Sequence, residues 1–166
     1  MKLLIKIVLI LLALIGCHGS ERSMFEKALK SLKQLRIVDG SAVGYGAYEG
    51  DFYNLTRIII QTGSSDDFIK MLKSESDITR IMGVYCLTLI DKNKYQKDIL
   101  PIFNDSNKIY FNPSGCIIWT ETVGGVAKQI YDNFKILGPF PKKLFFQSIR
   151  TEPIQNIFWN KNETSF

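Results

Sequence analysis

The chain has 166 residues, 21 of them basic and 16 acidic, for a net charge of +5. A hydrophobic share of 46% excludes a chain too polar to bury a core, and charges spread along the sequence exclude the concentrated basic face of a nucleic-acid binder. The one histidine, His18, precedes every predicted element of the main body. That body therefore lacks the base of a Ser-His or Cys-His pair and the usual zinc ligand sets.

Lys2 and Lys6 stand before an apolar run over 7–15. A basic start and a short apolar run are the layout of a secretory signal peptide; a spanning helix needs about 20 apolar residues. The run ends in Leu14-Ile15-Gly16-Cys17, which resembles the bacterial lipobox: a branched apolar residue three before the cysteine and a small one just before it. The resemblance covers the first 17 residues. It implies cleavage after Gly16 and a diacylglyceryl group on the Cys17 sulfur, with residues 17–22 as a short tether. The other reading is a chance cysteine behind an ordinary signal peptide. Each buried methylene contributes about 0.8 kcal/mol, and two or more acyl chains hold firmly where one does not. The expected location is the cell envelope, facing the periplasm or the exterior. An aspartate after the cysteine commonly marks inner-membrane lipoproteins; His18 stands there instead and points to the outer membrane where two membranes exist. Processing removes Lys2 and Lys6 and leaves 19 basic against 16 acidic residues, a net of +3.

Residues 23–138 read as one helical domain. Ser23-Met24-Phe25-Glu26 fits a capping box, and Phe25, Ala28, Leu29, Leu32 and Leu35 share a face, so a helix is predicted over 23–36 and broken by Asp39-Gly40. Gly40, Gly44, Gly46 and Gly50 mark a flexible loop; the spacing departs from a phosphate-binding G-x-G-x-x-G. Tyr45, Tyr48, Phe52 and Tyr53 cluster around it, either as a binding face for peptide or glycan or as core and loop packing. Phe52, Leu55, Ile58 and Ile59 form a second helical stripe, stopped at Gly63 in the manner of a left-handed C-cap. Ser64, Ser65 and Asp66 offer caps for the next helix, which carries Phe68, Ile69, Met71 and Leu72. The polar break 74–77 leads into a helix apolar nearly all round, from Ile78 to Ile90, which predicts a central element. Gly83 inside it predicts a close helix crossing. A turn over 91–94 and a short helix over 95–103, shortened by Pro101, follow.

Ile109-Tyr110-Phe111 and Ile117-Ile118-Trp119 flank Asn112-Pro113-Ser114-Gly115, a type I turn sequence. A small β-hairpin over 108–120 is expected; the competing reading is one helix starting at Pro113. From Thr122 a helical pattern returns through Val126, Ile130 and Phe134 and ends near Gly138-Pro139. Residues 139–166 remain apolar, with Leu144, Phe145, Phe146 and Trp159 among them, and are expected to pack back on the helices; the alternative is an exposed partner-binding segment.

Asp66 to Leu72, Ser76 to Arg80 and the long apolar helix after them resemble a HEAT-type repeat, two helices joined by a tight polar turn. Arg80 matches the basic residue common early in the second helix, and Gly115-Cys116 with Thr122-Val123-Gly124 resembles a pattern in uncharacterised bacterial HEAT-like proteins. The resemblance covers about 42–135 and carries no catalytic residues with it. The expected fold class is mainly α, stacked helix pairs with a small β-hairpin.

Cys86 and Cys116 are the remaining thiols. Outside the cytoplasm they form a disulfide or stay as two buried free cysteines. Three acidic pairs, Glu49/Asp51, Asp66/Asp67 and Glu75/Asp77, offer carboxylates. The last two stand at helix starts, where they oppose the macrodipole; Glu49/Asp51 is the candidate for glycoside chemistry or calcium. No catalytic residue, metal or cofactor is assigned. The leading expectation is a lipid-anchored, non-enzymatic domain that binds a protein partner, with no nucleic acid. The alternatives are an immunity-type lipoprotein that neutralises a toxin and a carboxylate-dependent enzyme of cell-wall glycan.

Overall fold

The structure, a computed structural model, describes residues 21–139. Cys17 with its signal sequence and the apolar segment after Pro139 lie outside these residues. The described body is mainly helical with a small three-stranded sheet. Its elements are α1 (21–32), β1 (Ile37–Asp39), α2 (Asp51–Thr62), α3 (Ser65–Leu72), α4 (Asp77–Asp91), α5 (Gln96–Ile99), a 3-10 turn (Leu100–Asn104), β2 (Lys108–Asn112), β3 (Trp119–Thr122), α6 (Val123–Asp132) and a second 3-10 turn (Phe134–Leu137).

α4 is the centre. Ile78, Thr79 and every residue from Ile81 to Thr88 are buried, as a helix apolar on all sides requires. α3 packs along it on one side and α6 on another. The α3–α4 crossing is close at Gly83: a Cβ there would stand 2.9 Å from the Phe68 carbonyl oxygen and 3.1 Å from Leu72 Cδ2. The Ser64 hydroxyl and the Asp67 carboxylate cap α3 reciprocally, and the Ser76 hydroxyl accepts from Thr79 N–H at the start of α4. The polar break between the two helices is thus the capping chemistry of the second.

α1 buries Phe25, Ala28 and Leu32 of the predicted stripe; Leu29 is partly buried, and Leu35 lies beyond the end of the helix. Its helix is already formed at Glu21 and ends at residue 32. Ser23 is therefore inside the helix and caps nothing, and Glu26 instead pairs with Arg22 one turn earlier. The chain is released after Leu32 because residues 37–39 are taken by the sheet. Gly63 stops α2 as expected, but with φ −94° and ψ 162° rather than in the left-handed region. Glycine is required for room: a Cβ would come within 2.7 Å of the Phe25 and Phe68 rings.

The hairpin is present and the helix starting at Pro113 is not. β2 and β3 run antiparallel, with Phe111 opposite Trp119 and Tyr110 opposite Thr120. The second strand starts at Trp119, two residues later than predicted, so the connection is a long loop rather than a four-residue turn. β1 adds a third strand, parallel to β2, with Val38 beside Phe111. A parallel neighbour needs a long crossover, which here is α2 through α5. Val38, Ile109 and Phe111 face the helices and are buried.

Pro101 ends α5 after one turn and continues it as 3-10. The Thr122 hydroxyl accepts from Gly125 N–H and opens α6. Among the described residues no helix is long and apolar enough to cross a membrane.

Candidate functional site

Two loops far apart in sequence are joined at one end of the sheet. Residues 43–48 close on themselves: Val43 N–H donates to Tyr48 O at 2.8 Å and Tyr48 N–H to Val43 O at 2.9 Å. The glycine-rich stretch is thus a closed turn rather than an open loop. It is tied to the hairpin loop by Gly44 N–H to Gly115 O at 2.8 Å and Gly115 N–H to Ala42 O at 2.7 Å. Both glycines are left-handed, with φ +71° and +74°, a conformation that costs other L residues about 1–2 kcal/mol. At its base the turn is held by Ser41 N–H to Leu137 O and Gly50 N–H to Gly40 O.

This double loop turns large apolar side chains to water. Tyr45 is fully exposed, Tyr48 and Ile117 are about 70% exposed and Ile118 is 56% exposed. Each lies within four residues of a backbone group in the loop-to-loop bonding. Residues 114–120 are exposed without a break. Trp119 is half turned inward, its ring edge-on to Phe111 at 5.3 Å. Single exposed apolar residues are ordinary on protein surfaces; a contiguous set marks a place where something docks.

The predicted aromatic face divides. Tyr45 and Tyr48 are in this exposed set, whereas Phe52 and Tyr53 are buried in the first turn of α2. The correction has a local cause. Gly50 offers no capping side chain, and the Asp39 carboxylate at the end of β1 accepts from Phe52 N–H at 2.8 Å and Asp51 N–H at 3.2 Å. That contact draws the helix start against the sheet and turns Phe52 into the core, 6.5 Å from the Tyr85 ring. Tyr53 donates its hydroxyl hydrogen to Pro139 O at 3.0 Å. Burial pushes the Asp39 carboxyl above its ordinary value, against the pull of the Phe52 and Asp51 N–H groups.

Ile117 and Ile118 were missed as surface residues because the hairpin reading made them strand. The signal was present: successive strand side chains point to opposite faces, so Ile117-Ile118-Trp119 could not all turn inward.

The two remaining thiols are free. Cys86 is buried in α4 and Cys116 is exposed in the hairpin loop. This corrects the disulfide reading: a bridge requires Cα atoms within about 7 Å and facing Cβ atoms, and a sulfur sealed inside the central helix does not meet one on an outer loop. Burial pushes the Cys86 thiol far up, so it is an inert packing group. Cys17 lies outside the described residues.

The carboxylates are mostly engaged elsewhere. Glu49 pairs with Arg57 at 3.2 Å, Asp67 with Ser64 and Arg22, and Asp77 with Arg80. Asp51 stands in the first turn of α2, where the helix dipole accommodates it. Among the described residues no group of three or more His, Cys, Asp or Glu side chains could hold a metal ion.

No known family model matches the chain, and no curated protein matches it either.

Proposed function

We propose that this chain is a lipid-anchored protein of the cell envelope, held through Cys17, whose helical domain is a non-enzymatic module for a protein partner. The partner docks on the face formed by Tyr45, Tyr48, Ile117 and Ile118. One observation carries the docking face: two loops some 70 residues apart are bonded backbone to backbone, and their large apolar side chains project into water. Rigid aromatic and aliphatic side chains on a fixed backbone are what interface anchors require, because little conformational freedom remains to be lost on docking. The lipobox residues, and no feature of the described body, support the anchor.

The test is crosslinking in intact cells followed by capture from solubilised membranes. The wild-type chain should bring down a defined partner, and Ile117→Asp/Ile118→Asp should lose it while keeping its circular dichroism spectrum. Equal capture by the double variant refutes the docking face. Mass spectrometry of the purified protein checks the anchor: a peptide beginning at Cys17 with added acyl mass is expected, and an intact Met1 to Gly16 segment on a bare thiol refutes it.

A further inference from the structure

We infer that the outward side of α1 and the turn after it, carrying Lys27, Lys30, Lys33 and Arg36, rests on the anionic surface of the membrane and fixes how the body stands there. The inference goes beyond the docking face and takes one thing from the anchor reading: a lipid on Cys17 makes α1 the first element of the body after the membrane. Residues 21–139 hold 15 basic and 14 acidic side chains, but the balance is not uniform. Residues 27–36 carry four of the basic ones and no acidic one, which leaves 11 basic against 14 acidic in the rest. The positive charge of the body is thus gathered at α1, and the remainder is net acidic.

The helix places these cations outward. At about 3.6 residues per turn, Lys27 and Lys30 come out opposite Phe25, Ala28 and Leu32, which α1 buries, and both are exposed. Lys33 N–H donates to Leu29 O at 3.1 Å, so the row continues for another turn, and Arg36 follows it, exposed as well. Among the described residues none of the four is in an ion pair, whereas Arg22, Arg57 and Arg80 all are. Glu26 of α1 and Asp67 of α3 beside it both pair with Arg22. Cations near a helix carboxyl end also oppose the macrodipole. That accounts for Lys30 and Lys33 and leaves Lys27, Arg36 and the missing acids unexplained.

The composition of the face selects the occupant. Ser23 and Ser31 fill the same side of α1, and none of the exposed large apolar residues lies on this helix. A protein partner needs apolar anchors at the centre of its contact, whereas a leaflet of lipid phosphates attracts basic side chains by charge alone. Each Lys or Arg near such a leaflet strengthens attachment about fivefold. The attraction reaches only about 8 Å at physiological salt, so it acts on a face laid against the surface and not on the body at large.

The test uses full-length protein purified from membranes and placed in vesicles of phosphatidylcholine, with or without phosphatidylglycerol. Acetylation of its lysines by N-hydroxysuccinimidyl acetate is followed by peptide mass spectrometry. Lys27, Lys30 and Lys33 should react about fivefold more slowly on the anionic vesicles than on the neutral ones. Lys128 of α6, on a different side of α4, should react alike on both, and the difference should vanish at about 1 M salt. Lys33→Gln/Arg36→Gln keeps Lys27 and Lys30 as reporters, which should return towards the rate on neutral vesicles while the circular dichroism spectrum is unchanged. Equal reactivity on the two vesicles overturns the membrane face, and so does slowing that extends equally to Lys128. Protection in intact cells but on neither vesicle gives the face to an acidic protein and overturns the lipid surface. Acyl mass on Cys17 with equal lysine reactivity keeps the anchor and loses the face; a bare Cys17 with protected lysines does the reverse.

Discussion

Arg80 shows how much one side chain holds here. Its guanidinium donates from Nε to Asp105 at 2.9 Å and from Nη1 to the Ser74 and Glu75 carbonyl oxygens at 2.7 and 3.1 Å, and it pairs with Asp77. Asn107 completes the cluster, its side chain donating to Asp77 and its backbone N–H to Asp105. The planar fork of five donors joins the α3–α4 turn to the connector before β2, a geometry that lysine cannot reproduce. The Arg80 side chain is only 12% exposed, so removing it strands two carboxylates in a partly buried place. Arg80→Met should cost on the order of 2–3 kcal/mol, read from urea unfolding, with Arg80→Lys recovering less than half. The double variant with Asp105→Asn should lose less than the sum of the single changes, because the two share one interaction. The α1–α3 clasp gives a pH prediction. Burial pushes the Asp67 carboxyl up, but the Arg22 guanidinium and the Ser64 hydroxyl and N–H outweigh it and hold it below its ordinary value. A carboxyl lowered in the folded state contributes stability that is present above its unfolded value, 3.8, and lost as pH falls through the folded one. Arg22→Gln should therefore raise the Asp67 titration midpoint by NMR and flatten the acid limb of the stability profile.

At the scale of the elements, the α3–α4 contact is the one to perturb. Alanine is favoured over glycine inside a helix by about 1 kcal/mol, so Gly83→Ala would stabilise an isolated α4. In this fold the added methyl meets the Phe68 carbonyl at 2.9 Å and the Leu72 backbone nitrogen at 3.2 Å, neither of which is a flexible side-chain end. The crossing must open, and Gly83→Ala should be net destabilising by about 1–2 kcal/mol in thermal or urea unfolding. This crossing was legible in the sequence because a glycine in a broadly apolar helix has few other reasons to be there. The caps at Ser64 and Ser76 were legible for a similar reason, since a hydroxyl before a periodic apolar run satisfies donors that the helix cannot. β1 was not. Ile37-Val38-Asp39 is too short to show alternation, and its partner lies some 70 residues away in a parallel pairing that local pattern does not encode. Its loss hid the Asp39 cap on α2, and with it the burial of Phe52 and Tyr53. The exposed half of the candidate site depended on the same long-range pairing, because only the Gly44–Gly115 bonding brings Tyr45 to the hairpin loop.

The whole molecule divides into a body that must be apolar and an edge that need not be, and mutation separates the two. Phe111 is fully buried between the sheet and the helices, while Ile117 and Ile118, a few residues later, are 71% and 56% exposed. Truncating Phe111 to alanine removes a packed ring and leaves a cavity, for an expected loss of about 3–5 kcal/mol. That is a large part of the roughly 5–15 kcal/mol that holds a domain of this size. Ile117→Ser and Ile118→Ser remove surface that the folded body does not use, so each should stay within about 0.5 kcal/mol of wild type. Unfolding of a chain ending at Pro139 measures this cleanly where that chain folds. If those two residues cost as much as Phe111 in the shortened chain, the loops form part of the core and the docking face is wrongly placed. If they cost little there while Ile117→Asp/Ile118→Asp still loses the captured partner, the two side chains serve docking and not folding, because the stability of the body and the affinity of the face are then moved by different residues.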